Sequence, residues 1–268
     1  MKTIRRWSPM ASATESRSRG AWSFPGAAVA DRGLLDAALK TRMAVTAIVP
    51  AHNEEKRIGR VIEALLAADD VDDVIVVNDG STDKTSEVAR GYCPRIRVVD
   101  LEANRGKGGA MLAGARCAED SDIVLFLDGD LIGLSTSHVR ALIEPVLSGE
   151  CDMAVGQFKG GRGLTDLAQL LVPYISGQRC IRRELFMQIP DLDTVGYGIE
   201  MAITYHVKYL RGRVRTVILR GVTHPMKEEK LGYLRGSLAR WRMYAQMFRF
   251  GIRYAIAKGK RASGKSAL

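Results

Sequence analysis

Between residues 44 and 130 apolar and polar positions change over in regular blocks. "AVTAIVP", "DDVIVVND", "IRVVDL" and "DIVLFLD" are short, β-branched and nearly continuous in apolar character, as strands covered on both faces should be. Between them, "EEKRIGRVIEALLA" sets Ile58, Val61, Ile62, Leu65 and Leu66 on one helical face, and "STDKTSEVAR" and "GKGGAMLAGARCAE" follow the next two strands. This repeated strand–helix–strand order predicts an α/β fold, a mostly parallel twisted sheet flanked by helices and joined by right-handed crossovers. Ligands of such sheets sit at the carboxyl ends of the strands. The polar clusters fall at those ends: "PAHNE" from Pro50, "NDGSTD" from Asn78, "EANRGKGGA" from Glu102 and "DGD" from Asp128.

The last cluster closes "VLFLDGDLIG". If the strand continued through it, Asp128 and Asp130 at positions i and i+2 would point to one side and raise each other's pKa unless a cation stood between them. The pair then shares a proton, faces water or holds a metal. Downstream, "GGRGLTDLAQLLVPYISGQRCIRRELF" opens on a flexible glycine segment and gathers Arg162, Arg179, Arg182 and Arg183. Their guanidinium forks suit phosphate or carboxylate, and a solvated helix face is the rival reading. "GYGIEMAITYHVKYL" reads as an amphipathic helix opening with Glu200, and the strand-like "RTVILRGV" leads into "THPMKEEK" with His224 and Lys227.

Over 231–258, Leu231, Leu234, Leu238, Trp241, Ala245, Phe248, Ile252 and Ala255 recur in steps of three and four. They form one apolar stripe on a long basic helix that can pack on its own domain, pair a homodimer, or lie peripherally on an anionic bilayer.

Composition adds limits. The 268 residues, 46% hydrophobic and 26% charged, suit a globular chain. Residues 1–42, rich in Arg, Ser and Gly without a period, read as a disordered basic leader, either a transit-like segment or a start misplaced ahead of Met43. A domain over 43–230 follows, with halves 43–130 and 131–230, then the helix and a basic tail over 259–268. The net charge of +10 lies at the two ends: +5 over 1–43 and +9 over 227–268, leaving −4 between. That excludes a basic groove across the domain, and with it nucleic acid as a partner. Four scattered cysteines indicate neither a disulfide framework nor zinc. No apolar run spans a bilayer or forms a secretion signal, so the expected location is cytoplasmic. "GKRASGKS" near the C-terminus matches a phosphate-loop pattern but has no strand before it and no helix after it. The first strand ends in "PAHNEE" where a dinucleotide fold needs G-x-G-x-x-G.

In this order and spacing, "TAIVPAHNEE", "VIVVNDGSTDKT", "NRGKGGA" and "FLDGD" resemble family 2 glycosyltransferases of the GT-A fold. The resemblance implies a hexosyltransferase moving sugar from a UDP- or GDP-linked donor. It implies that Glu54 and Asp79, with Pro50 beside them, hold base and ribose, and that Lys107 lies near the diphosphate. Asp130 would bind magnesium or manganese, with Asp128 toward the ribose or metal, and the ion would stabilise the leaving diphosphate. It further implies His224 as a third ligand, Lys227 near the phosphates, and Glu200 as base or acceptor ligand. Taken singly, Asp79 before Gly80 equally suits a plain turn, and Lys107 a solvated loop. Glucosyl-3-phosphoglycerate synthases and polyprenyl-phosphate sugar synthases are the similar branches. Both use small phosphorylated acceptors, which Arg179 and its neighbours would suit. The rivals are a sugar nucleotidyltransferase, which needs an Arg-containing glycine loop after the first strand, and a non-catalytic phosphate- or membrane-binding module, which needs only the basic ends.

Overall fold

The computed structural model of the chain describes residues 42–159, 176–190, 192 and 198–223; the leader up to residue 41, Arg162, His224, Lys227, the helix expected over 231–258 and the tail lie outside them. Seven strands form one sheet: β1 (Val45–Ala51), β2 (Asp73–Asn78), β3 (Arg97–Asp100), β4 (Ile123–Phe126), β5 (Met153–Lys159), β6 (Arg179–Arg182) and β7 (Val214–Arg220), in the order β3-β2-β1-β4-β6-β5-β7. β1 pairs in parallel with β2 and β4, and β2 with β3. β6 runs antiparallel to both β4 and β5, and β5 is parallel to β7. Only β6 is therefore reversed, and its first residue, Arg179, stands opposite Phe126, the last of β4.

Among the described residues six helices cover the sheet: α1 (Ile58–Leu66), α2 (Thr85–Arg90), α3 (Gly106–Cys117), α4 (Thr136–Leu147), α5 (Arg183–Met187) and α6 (Ile199–Tyr209). The two-residue period of β1 separates two cores. Val45, Ala47, Val49 and Ala51 pack with α1 and with Leu142 and Val146 of α4. Ile48 packs on the opposite side with Met111 of α3, Phe186 of α5 and Ile203 of α6. The expected spacing in α1 holds, with Ile58, Val61, Ile62 and Leu65 all fully buried; each such burial stabilises by about 1.5–3 kcal/mol. Leu66, at the end of the stripe, is only partly buried. α3 lies close on the sheet because Gly114 carries no side chain; a β-carbon there would overlap Ile48 Cγ2. No helix among the described residues is long and apolar enough to cross a membrane.

Candidate active site

The loops after β1 and β2 are laced together at the carboxyl edge. Asn53, at φ +58°, donates its N–H to Ser81 Oγ at 3.0 Å and accepts from Thr82 N at 2.9 Å. Glu54 N donates to Thr85 Oγ1 at 2.7 Å, and His52 Nδ1 meets the Asp79 carbonyl at 2.8 Å. Pro50 stands in β1 opposite Val77. Asp79 is buried, and its Oδ1 accepts the Arg105 N–H at 2.6 Å, so it secures the residue that begins α3. The turn thus sets Asp79 against the start of the helix that carries Lys107.

Lys107, on the first turn of α3, reaches Asp128 Oδ1 at 2.6 Å and Glu200 Oε1 at 2.8 Å. Three sequence-remote candidates therefore converge on one ammonium group. Burial alone would push the Lys107 pKa down, and its attraction to the two carboxylates drives it well above the ordinary lysine value instead. The other Asp128 oxygen accepts from Gln178 Nε2 at 2.7 Å.

The extended path expected through "DGD" is not observed. Strand pairing stops at Phe126, Leu127 N makes a last bond to Ile48 O at 3.2 Å, and the chain then turns through Gly129 and Asp130. Alternation therefore does not place Asp128 and Asp130. The cation beside Asp128 is Lys107, and the cationic partner the pair called for is, for Asp128, supplied by the protein itself. Gly129 comes close to Ile58, Ala51 and Glu54, which sets Glu54 against the same turn.

The arginines also differ from expectation. Arg179 is fully buried, and its guanidinium donates to Glu200 O at 3.0 Å, to Thr204 Oγ1 at 3.3 Å and to Ser176 O at 2.5 Å. Burial lowers its pKa to about 10 against the attraction of Glu200 and Asp128, so it is charged at neutral pH. It does not present an open fork to an acceptor. Arg182 pairs with Asp152 at 3.5 Å, and Arg183 Nε donates to Ala115 O at 3.0 Å, so the expected arginine cluster is dispersed over three places.

Two residues at the site escaped the sequence. Gln178 holds Asp128, and Gly177 lies so close that a β-carbon on it would meet Lys107 Nζ and both Asp128 oxygens. Both stand in "SGQRC", where the arginine drew attention and a glycine resembles any other turn residue.

Among the described residues no group of three or more His, Cys, Asp or Glu side chains is arranged to hold a metal. Hard oxygen donors at Asp128 and Asp130 nevertheless fit magnesium or manganese. An antiparallel bridge, Ile132 N to Thr223 O at 2.8 Å and Thr223 N to Ile132 O at 3.0 Å, ties the Asp130 turn to the residue immediately before His224.

The family model described as glycosyl transferase family 2 matches residues 46–208. Glucosyl-3-phosphoglycerate synthase of Mycolicibacterium paratuberculosis is 31% identical over 220 residues, 68% of this chain. The chain spans 64% of that relative's length. A crystal structure of the Mycobacterium tuberculosis glucosyl-3-phosphoglycerate synthase with Mn2+, UDP and glucosyl-3-phosphoglycerate aligns at TM-score 0.60 and 30% identity, over 79% of this chain and 82% of that one. Its complex with Mn2+, UDP-glucose and phosphoglyceric acid aligns at TM-score 0.62 and 28% identity, over 85% of both chains. The sheet and its flanking helices have the GT-A architecture, and the chain belongs to glycosyl transferase family 2.

Proposed function

We propose that this chain is a metal-dependent hexosyltransferase that moves glucose from UDP-glucose to a small phosphorylated acceptor, 3-phosphoglycerate being the first choice. The observation that carries this reading is the meeting of Asp128, Lys107 and Glu200 at one point, where the donor-side loops adjoin the first turn of α6. The similarity to relatives whose structures contain UDP-glucose and phosphoglyceric acid supports the choice of substrates.

In this mechanism Pro50, at the end of β1, and Glu54 and Asp79, on loops fixed to one another, line the site of base and ribose. Asp130 and Asp128 would hold the divalent ion with His224 as third ligand, and when bound it supplies Lewis-acid stabilisation of the leaving diphosphate. Lys107 contributes a positive charge for the diphosphate oxygens, held in place by two carboxylates. Glu200 faces the acceptor and either takes the proton of its hydroxyl or orients that hydroxyl. Lys227 is assigned to the phosphates from its sequence position alone. A sugar nucleotidyltransferase is disfavoured because the loop after β1 is closed by Asn53, Ser81 and Thr82 and has no arginine-bearing glycine loop for a triphosphate.

The test is release of UDP or GDP across a panel of nucleotide sugars with 3-phosphoglycerate or a polyprenyl phosphate, with Mn2+ or Mg2+. UDP release from UDP-glucose with 3-phosphoglycerate is the expected result. Release only with the polyprenyl phosphate, together with flotation on acidic vesicles that requires residues 232–268, would instead assign the basic helix to a lipid surface. No release with any donor in the panel would overturn the transferase reading.

A further inference from the structure

A fully buried arginine in a strand needs an account, because desolvating the charge is costly unless several acceptors surround it. Among the described residues Arg179 has no direct carboxylate partner in its hydrogen bonds. Its acceptors there are the main-chain oxygens of Glu200 and Ser176 and the hydroxyl of Thr204, while its Nε finds none among the described residues. Each contact leads one step further to the site. The Glu200 carbonyl belongs to the first turn of α6, whose side chain holds Lys107 at 2.8 Å. Ser176 Oγ donates to Gln178 Oε1 at 3.0 Å, and Gln178 Nε2 holds Asp128 at 2.7 Å. Gly177, between them, is the surface on which the Lys107–Asp128 pair rests.

We infer that Arg179 is a positioning residue: its planar guanidinium clamps the first turn of α6 to the start of β6, and so fixes where Glu200 and Gln178 meet Lys107 and Asp128. It reaches the reaction through those side chains and does not bind the acceptor. The inference rests on the proposed role of Glu200. A lysine cannot replace it, because one ammonium on a flexible stem lacks the fork that spans two carbonyls on different elements.

The test has two arms, both with Arg179→Lys and, as a neutral control of similar length, Arg179→Met. In the first, hydrogen exchange of the full-length protein should speed up in peptides covering 176–179 and 199–204, while exchange in β1, β2 and β4 stays as in the wild type. Unchanged exchange at those two segments overturns the clamp whatever the substrate proves to be. In the second, with UDP-glucose, 3-phosphoglycerate and Mn2+, Arg179→Lys should lower kcat by up to about a hundred-fold, as small misplacements of reacting groups do, with little change in either KM. In a Glu200→Gln background the same substitution should cost almost nothing more. A raised acceptor KM at unchanged kcat would make Arg179 an acceptor ligand, and additive losses would make it merely structural; either result overturns the inference. If Glu200→Gln itself retains full turnover, the role of Glu200 fails, and the kinetic half of the inference with it.

Discussion

Gly177 abuts Asp128 so closely that a β-carbon on the glycine would stand 2.5 Å from Asp128 Oδ2. The atoms in the way are the mobile ends of Lys107 and Asp128, so the fold can give while the site cannot. Gly177→Ala should shift Tm by no more than about 3 °C, equivalent to roughly 1 kcal/mol in a chain of this size. It should lower kcat by at least about ten-fold, because the displaced pair is part of the site. Thermal scans and UDP release measured on one preparation check both halves.

Asp79 supports two roles that different substitutions separate. Asp79→Ala removes the acceptor of the part-buried hydrogen bond from Arg105 N–H and should destabilise by about 1 kcal/mol, as well as weaken UDP binding. Asp79→Asn keeps an oxygen for that bond. It should therefore stay near wild-type stability in denaturant titrations while still losing UDP affinity by calorimetry. Equal UDP affinity for Asp79→Asn and wild type would leave Asp79 as a turn former alone.

Asp130→Ala should abolish transfer, and chelation of the wild type should do so reversibly, with Mn2+ or Mg2+ restoring the rate. Calorimetric titration of Mn2+ in the presence of UDP should show binding by the wild type and none by the variant. Undiminished transfer by Asp130→Ala would remove the turn from the metal site.

Stability should be greatest near neutral pH. Burial by itself would raise the carboxyl groups of Asp83, Asp100 and Asp152, but hydrogen bonds outweigh it and place all three below the ordinary 3.8; the donors include Thr85 at Asp83, Ser86, Asn78 and Arg90 at Asp100, and Arg213 at Asp152. Depressed carboxylates bind protons more readily once unfolded, so their contribution is complete above about pH 4 and is lost as the pH falls further. Lys107 has the opposite sign: its raised value makes its contribution complete below the ordinary 10.5 and lost only as the pH climbs beyond it. Tm should be nearly flat only between about pH 7 and 8. Below that the burial that lowers the His206 pKa under its ordinary 6.5 adds to the carboxylates, and above it the buried thiols of Cys151 and Cys180, raised above 9.0, begin to lose their contribution. A Tm that rises below pH 4 would contradict these assignments.

The strands and helices of the first half were legible because each carries its own periodicity. β1, β2 and β4 are apolar on both faces since helices cover both faces, and α1 shows its stripe directly. The polar clusters at the carboxyl edge were legible for the same reason, as the places where that periodicity stops. What the site side chains do to one another was not, because it depends on contacts 21 and 93 positions apart in the chain, between Lys107 and Asp128 and between Lys107 and Glu200, and on a turn that begins after Phe126. Arg179 misled in the other direction. Its residue type suggested an anion ligand, whereas it lies buried at the start of the reversed strand β6, against the first turn of α6, and neither burial nor strand direction leaves a mark on four residues, "RCIR".

That reversal also bears on how the chain acquires its shape. Ile123–Phe126 is an inner strand only because Arg179–Arg182 comes back beside it. During synthesis the first four strands emerge before β6 exists, and through that interval β4 offers an unpaired flank of main-chain donors and acceptors between wholly apolar side chains. An open edge of that kind invites another copy of itself. A fragment ending at Glu150 would therefore hold the residues assigned to base and ribose and still be a poor soluble protein, since the strand that completes the site is also the one that seals the sheet against its own kind.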